Sequence, residues 1–131
     1  MRGSLRRTIR FLLEALGHEA SEAEHGRRGV DLQRAERFDV VITDLVMPVQ
    51  DGLETIRILK SEFTRLPIIA MSGGATTLGK ARLADASVIG AVATLAKPFT
   101  IEDLLSALVK CHDHSIDTLT MHWSPVGYMN G

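Results

Sequence analysis

Cysteine occurs once, at position 111, so the chain cannot form an internal disulfide and suits a reducing, cytoplasmic setting. No apolar run is long enough to span a bilayer. No secretory signal is expected either. Arg2, Arg6, Arg7 and Arg10 crowd the start, and an amphipathic pattern follows them rather than an apolar core. Excess charge of one sign is missing as well. The formal net charge is −1, which leaves no electrostatic footprint for nucleic acid or an anionic membrane surface. Neither a Walker loop nor a dinucleotide fingerprint is present. Internal repeats and low-complexity segments are absent. Finally, no Asp or Glu precedes Glu14.

What remains is ordinary globular material. The 131 residues suffice for one domain with a single core, and 45% apolar with 24% charged residues is a typical balance. The most informative stretch is Val40 to Gly52, VVITDLVMPVQDG. Its apolar β-branched start, bounded by Pro48, Asp51 and Gly52, reads as a strand buried on both faces. Asp44 stands at the end of that strand. Leu66 to Met71, LPIIAM, is a second such run and ends in Ser72-Gly73-Gly74. Ala91 to Ala96 is a third, made of small residues and followed by Lys97-Pro98-Phe99; Pro98 can take a cis bond. A weaker, more polar strand is expected within His18 to Ala23, at a sheet edge.

Helical spacing fills the intervals. Leu5, Ile9, Leu12, Leu13 and Leu16 share one face, with Gly17 as C-cap. Gly26 to Glu36 is arginine-rich and should pack shallowly. Further helices are expected over Asp51 to Phe63, over Thr77 to Ile89, and after Thr100, where Asp103 completes a capping box. Strands alternating with helices imply a parallel sheet covered on both faces. Ligand chemistry in such sheets collects beyond the carboxyl ends of the strands. Asp44, Ser72 and Lys97 are therefore the candidate functional residues.

From Leu5 to Lys110 the chain resembles the receiver domain of two-component response regulators. The resemblance is carried by TDLVMPVQDG around Asp44, PIIAMSGG ending at Ser72, and LAKPF around Lys97. It implies a flavodoxin-like, doubly wound parallel sheet of strand order 2-1-3-4-5. It also implies that Asp44 is the phosphoacceptor, Ser72 the hydroxyl that follows the phosphoryl group, and Lys97 its cationic partner. A sensor histidine kinase or another signalling protein is the implied partner, and Mg²⁺ the implied cofactor.

The chain departs from the family in one important respect. Receivers begin with a strand that sits in the middle of the sheet and ends in two metal-binding acids. Here the pattern begins at the first helix. Of the metal ligands, only Asp44 and the backbone carbonyl of Val46 are left, so Mg²⁺ should bind weakly or not at all and phosphotransfer should suffer. Thr94 also replaces an aromatic residue that often moves with the switch hydroxyl. The empty central slot requires an occupant. Three are conceivable: the tail through SIDTLTMHW, in which Asp117 and His122 suit a buried strand poorly, closure or reorganisation of the neighbouring strands, or exchange of elements between two chains; a homodimer with swapped or rearranged elements is the expectation.

The expected organisation is a leader or truncation scar over 1–4, a receiver-like domain over 5–112, and a tail over 113–131 that is foreign to the family. A protein-binding signalling module is the leading functional expectation, not an enzyme. One alternative is a phosphorylatable receiver whose metal site another chain completes. A second is an aspartyl-nucleophile phosphatase, but that chemistry needs an acid two residues after the nucleophile, where this chain has Val46.

Overall fold

The structure is a computed structural model that describes residues 2–45, 52–73, 77–116 and 126–129. Helix α1 (Arg2–Ala15) takes in residues 2–4, which the sequence had set apart as a leader. It buries Ile9 and Leu13. Gly17, at φ 91°, lets the chain turn back so that the His18 N–H reaches the Leu13 carbonyl at 3.0 Å. Strand β1 (Ala20–Ala23) follows. Its Glu22 accepts from Arg6 and Arg10 of α1, at 2.8 and 3.2 Å, which fastens the helix to the strand.

Helix α2 (Gly26–Glu36) is capped by His25, whose ring nitrogen accepts from the Arg28 N–H. Gly26, Gly29, Val30 and Gln33 are its buried residues, the shallow packing expected of an arginine-rich helix. Gln33 bonds both backbone groups of Phe38, each at 3.0 Å, and so fixes the turn into β2 (Val40–Asp44). All five residues of β2 are buried. Helix α3 (Gly52–Glu62), strand β3 (Ile68–Gly73), helix α4 (Thr77–Val88) and strand β4 (Ala93–Lys97) continue the alternation. Helix α5 (Ile101–Ile116) starts from a capping box in which the Thr100 and Asp103 side chains bond each other's backbone N–H.

The last strand, β5 (Val126–Met129), resolves the question of the central slot. The sheet has five parallel strands in the order β1-β5-β2-β3-β4. Val126 aligns with Ala20 on one side and Val40 on the other; Met129 aligns with Ala23 and Thr43. The position that a receiver fills with its first strand is filled here by the last one, from the same chain. Of the three candidate occupants, the tail is the one that serves, and neither exchange between chains nor closure of β1 onto β2 is needed. The residues differ from those expected, however. Ile116 belongs to α5, residues 117–125 lie outside the described set, and the strand is Val126–Met129.

Handedness explains why this arrangement works. Helices α1 and α5 contribute to one apolar cluster with Ile42 and Met71; α2, α3 and α4 contribute to the other, with Val41 and Ile68. The steps β1-to-β2, β2-to-β3 and β3-to-β4 move one way across the sheet over the second face. The return from β4 to β5 moves the other way over the first face. Reversing both direction and face keeps the crossover right-handed. Leu13, Ile42, Ile69 and Leu104 are fully buried, and each such side chain contributes about 1.5–3 kcal/mol of transfer free energy.

Candidate functional site

The sheet register gathers the three candidate residues at one edge. Asp44 is aligned with Met71, Ser72 with Ala96, and Lys97 with Gly73. Each therefore ends its strand within a residue or so of the others, on three adjacent strands. Asp44 and Ser72 are both buried. The Lys97 ammonium contacts the Asp44 Oδ2 carboxylate oxygen directly; the lysine side chain keeps 28% exposure and the aspartate 3%. The Lys97-Pro98 peptide bond is cis, as Pro98 allowed.

The surroundings hold Asp44 in place. The Leu45 N–H donates to the Met71 carbonyl at 2.9 Å, which extends the β2–β3 ladder one residue past the acid. The Thr43 hydroxyl donates to the Asp44 carbonyl. Gly52 opens α3 against the same strand end. A Cβ there would overlap the Asp44 carbonyl oxygen and the Leu45 Cα, so only glycine fits. The sequence had suggested Gly52 merely as a turn residue; its close approach depends on tertiary packing and has no local signal. Thr8, Ile9 and Leu12 of α1 were likewise not foreseen as neighbours of the site. With Lys97, Pro98, Phe99, Thr100 and Ile101 they line a cavity of about 410 Å³.

A divalent ion is what the resemblance implies at this edge, and the described strand ends beside Asp44 do not supply the second acid it would need. The Asp44 carboxylate is engaged by Lys97. The neighbouring strand β5 brings Val126, Gly127, Tyr128 and Met129, none of them an acid. Among the described residues, no three His, Cys, Asp or Glu side chains come together as a metal site would require. The Val46 carbonyl, the other expected ligand, lies outside the described residues. Thr94 is exposed on β4. Cys111, by contrast, is no part of any site: it is fully buried in the core, and burial pushes its thiol up to about 12.

Comparison with known proteins agrees with this geometry. A solved receiver-domain protein from Clostridium thermocellum superposes with a TM-score of 0.80 at 28% identity, covering 90% of this chain and 92% of that one. The response regulator MprA of Mycolicibacterium vanbaalenii is 36% identical over 108 residues, which is 82% of this chain and 44% of that protein. The transcriptional regulatory protein ZraR of Escherichia coli is 29% identical over 114 residues, 86% of this chain and 25% of that protein. The chain thus spans less than half the length of these two curated relatives. The sequence model of the response regulator receiver domain matches residues 3–109. With the strand order, the three strand-end residues and this match in agreement, the chain belongs to the response regulator receiver domain family of two-component signalling.

Proposed function

We propose that this receiver acts in phosphorelay signalling chiefly as a protein-binding module, with Asp44 as a phosphoacceptor of reduced competence. The observation that carries the reading is the Asp44–Lys97 pair beside a central strand that supplies no acid. In a transfer from a sensor histidine kinase, the N–P bond of the phosphohistidine breaks and an O–P bond forms at an Asp44 oxygen. Such a transfer needs positioning and charge neutralisation more than covalent help. Lys97 offers one point charge to a phosphoryl oxygen. Ser72 offers a hydroxyl to another. A bound Mg²⁺ would be worth several kcal/mol of further stabilisation. Losing about 3–5 kcal/mol slows transfer by roughly 10²- to 10⁴-fold.

Weak Mg²⁺ binding, a cytoplasmic location, self-association into a homodimer and the absence of catalytic turnover belong to the same reading. No described helix is long and apolar enough to cross a membrane. The test is intact mass after incubation with a small phosphodonor, with and without Mg²⁺, on the wild type and Asp44→Asn. A slow adduct or none, indifferent to Mg²⁺, is the expected result. A rapid, Mg²⁺-dependent single adduct that Asp44→Asn abolishes would overturn the reading, and would favour a metal site completed by a second chain.

A further inference from the structure

Phosphoryl chemistry leaves the cavity beside Lys97 without a use. The cavity has a volume of about 410 Å³ and lies between α1 and the turn that joins β4 to α5. Small-molecule sites commonly measure about 300–1,000 Å³. Its walls are mostly apolar: Ile9 and Leu12 on one side, Pro98, Phe99 and Ile101 on the other. Thr8, Thr100 and Lys97 are the polar side chains among them. Apolar walls with a few placed polar groups are the ordinary make-up of a ligand site. Leu12 and Phe99 are only partly buried and pack against the apolar cluster under α1 and α5. An apolar body in the cavity would extend that cluster and take both side chains further out of water.

Charge selects the head group. Lys97 is the one charged side chain that lines the cavity. An ammonium has three N–H donors, and among the described residues Lys97 gives one contact, to the Asp44 carboxylate. Donors are therefore left over on a side chain that keeps 28% exposure. The charge is not left over, because Asp44 balances it. An anionic head would set a second negative charge near a carboxylate that is 3% exposed, and the two would repel. A neutral acceptor takes a spare N–H without that cost. Thr100 supplies another donor: its hydroxyl oxygen accepts from the Asp103 N–H at 3.1 Å, and its O–H can donate. The Asp103 carboxylate is turned to the Thr100 N–H, and neither it nor Glu102 lines the cavity.

We propose that this cavity binds a small, uncharged, largely apolar molecule that presents a carbonyl oxygen to Lys97 and lays its body against Ile9, Leu12, Phe99 and Ile101. The ligand and Asp44 then share one ammonium. Asp44 thereby sets the charge of the head group that the cavity accepts, although it does not line the cavity itself.

Amide NMR titration of the full chain with 1-indanone, indane and indane-1-carboxylate tests the proposal. The probes share one bicyclic frame and differ in the head. No phosphodonor is present, so the result stands apart from whether Asp44 accepts a phosphoryl group. 1-Indanone should give saturable shifts centred on Thr8, Leu12, Phe99 and Ile101. Indane should bind at least roughly 10-fold more weakly, the loss of one hydrogen bond to a charged donor. Lys97→Met should bind the two alike. The carboxylate should bind the wild type more weakly than 1-indanone does, and should gain at least roughly 10-fold in Asp44→Asn, where nothing balances the lysine. Leu12→Trp should fill the cavity and abolish binding. Ile101→Trp, at a position 44% exposed, obstructs it from the other wall with little risk to folding, which circular dichroism checks. No saturable shift with 1-indanone up to roughly 10 mM would overturn the site. Equal binding of indane and 1-indanone by the wild type, or a wild-type preference for the carboxylate, would overturn the assigned head group.

Discussion

At the scale of single residues, the Asp44–Lys97 pair is the most consequential feature. A carboxylate with 3% exposure has surrendered nearly all its hydration, and the contact with Lys97 offsets that loss. Lys97 retains 28% exposure, so the pair is less costly to break than a wholly buried one. Lys97→Met should destabilise the fold by about 1–3 kcal/mol at neutral pH, below the usual cost for fully buried pairs. Asp44→Asn in the Lys97→Met background should recover most of this, because the amide needs no counter-charge. Urea unfolding of the wild type, both single variants and the double variant would give the coupling directly. Additive effects would mean that the two residues contribute separately. This pairing was legible in the sequence only as adjacency at one sheet edge. The contact itself depends on the register that aligns Gly73 with Lys97.

At the scale of elements, strands differ in how well their sequences reveal them. Val40–Asp44 and Ile68–Gly73 are rich in β-branched and apolar residues because both faces of each strand are covered. Strand β5 carries a weaker signal: it is four residues long, and Gly127 interrupts Val126, Tyr128 and Met129. The stretch SIDTLTMHW, with Ile116, Leu119, Met121 and Trp123, has the longer apolar pattern. What places Val126–Met129 is the set of backbone donors and acceptors that β1 and β2 turn toward the slot, and no residue-level propensity reports that demand. Removal of residues 117–131 should therefore cost far more than the loss of an ordinary terminus. Each backbone group left buried and unpaired costs about 1–3 kcal/mol, and several would be exposed on each side of the gap. The total rivals a whole domain's stability of roughly 5–15 kcal/mol. Thermal unfolding followed by circular dichroism should lose its cooperative transition in the truncated chain. An unchanged transition would mean that β1 and β2 pair without β5.

At the scale of the whole molecule, the sheet keeps the family's strand order while the chain visits it in a rotated sequence, with the central strand last. The parallel sheet, its two covering layers and the edge that carries Asp44, Ser72 and Lys97 all follow from alternation and strand-end placement, which a sequence displays. Which end of the chain fills the centre does not, because either end can be joined by a right-handed crossover. The consequence for chemistry is specific. Met129 is level with Thr43, so the site edge of β5 lies next to Asp44, where the family places its metal-binding acids. If the reduced phosphotransfer proposed above is a matter of side chains and not of backbone placement, Met129→Asp should set a second carboxylate near Asp44 and create a divalent-ion site. Fresh negative charge beside Asp44 would destabilise the metal-free fold, and Mg²⁺ should reverse this. The expected outcome is a fall in melting temperature without Mg²⁺, a rise on its addition, and a Mg²⁺-dependent phosphoryl adduct absent from the parent chain. A variant that Mg²⁺ neither stabilises nor renders phosphorylatable would show that the end of β5 does not direct its residues as a receiver's first strand does. The reduced phosphotransfer proposed above would then follow from the order in which the chain visits the sheet and not from its side chains.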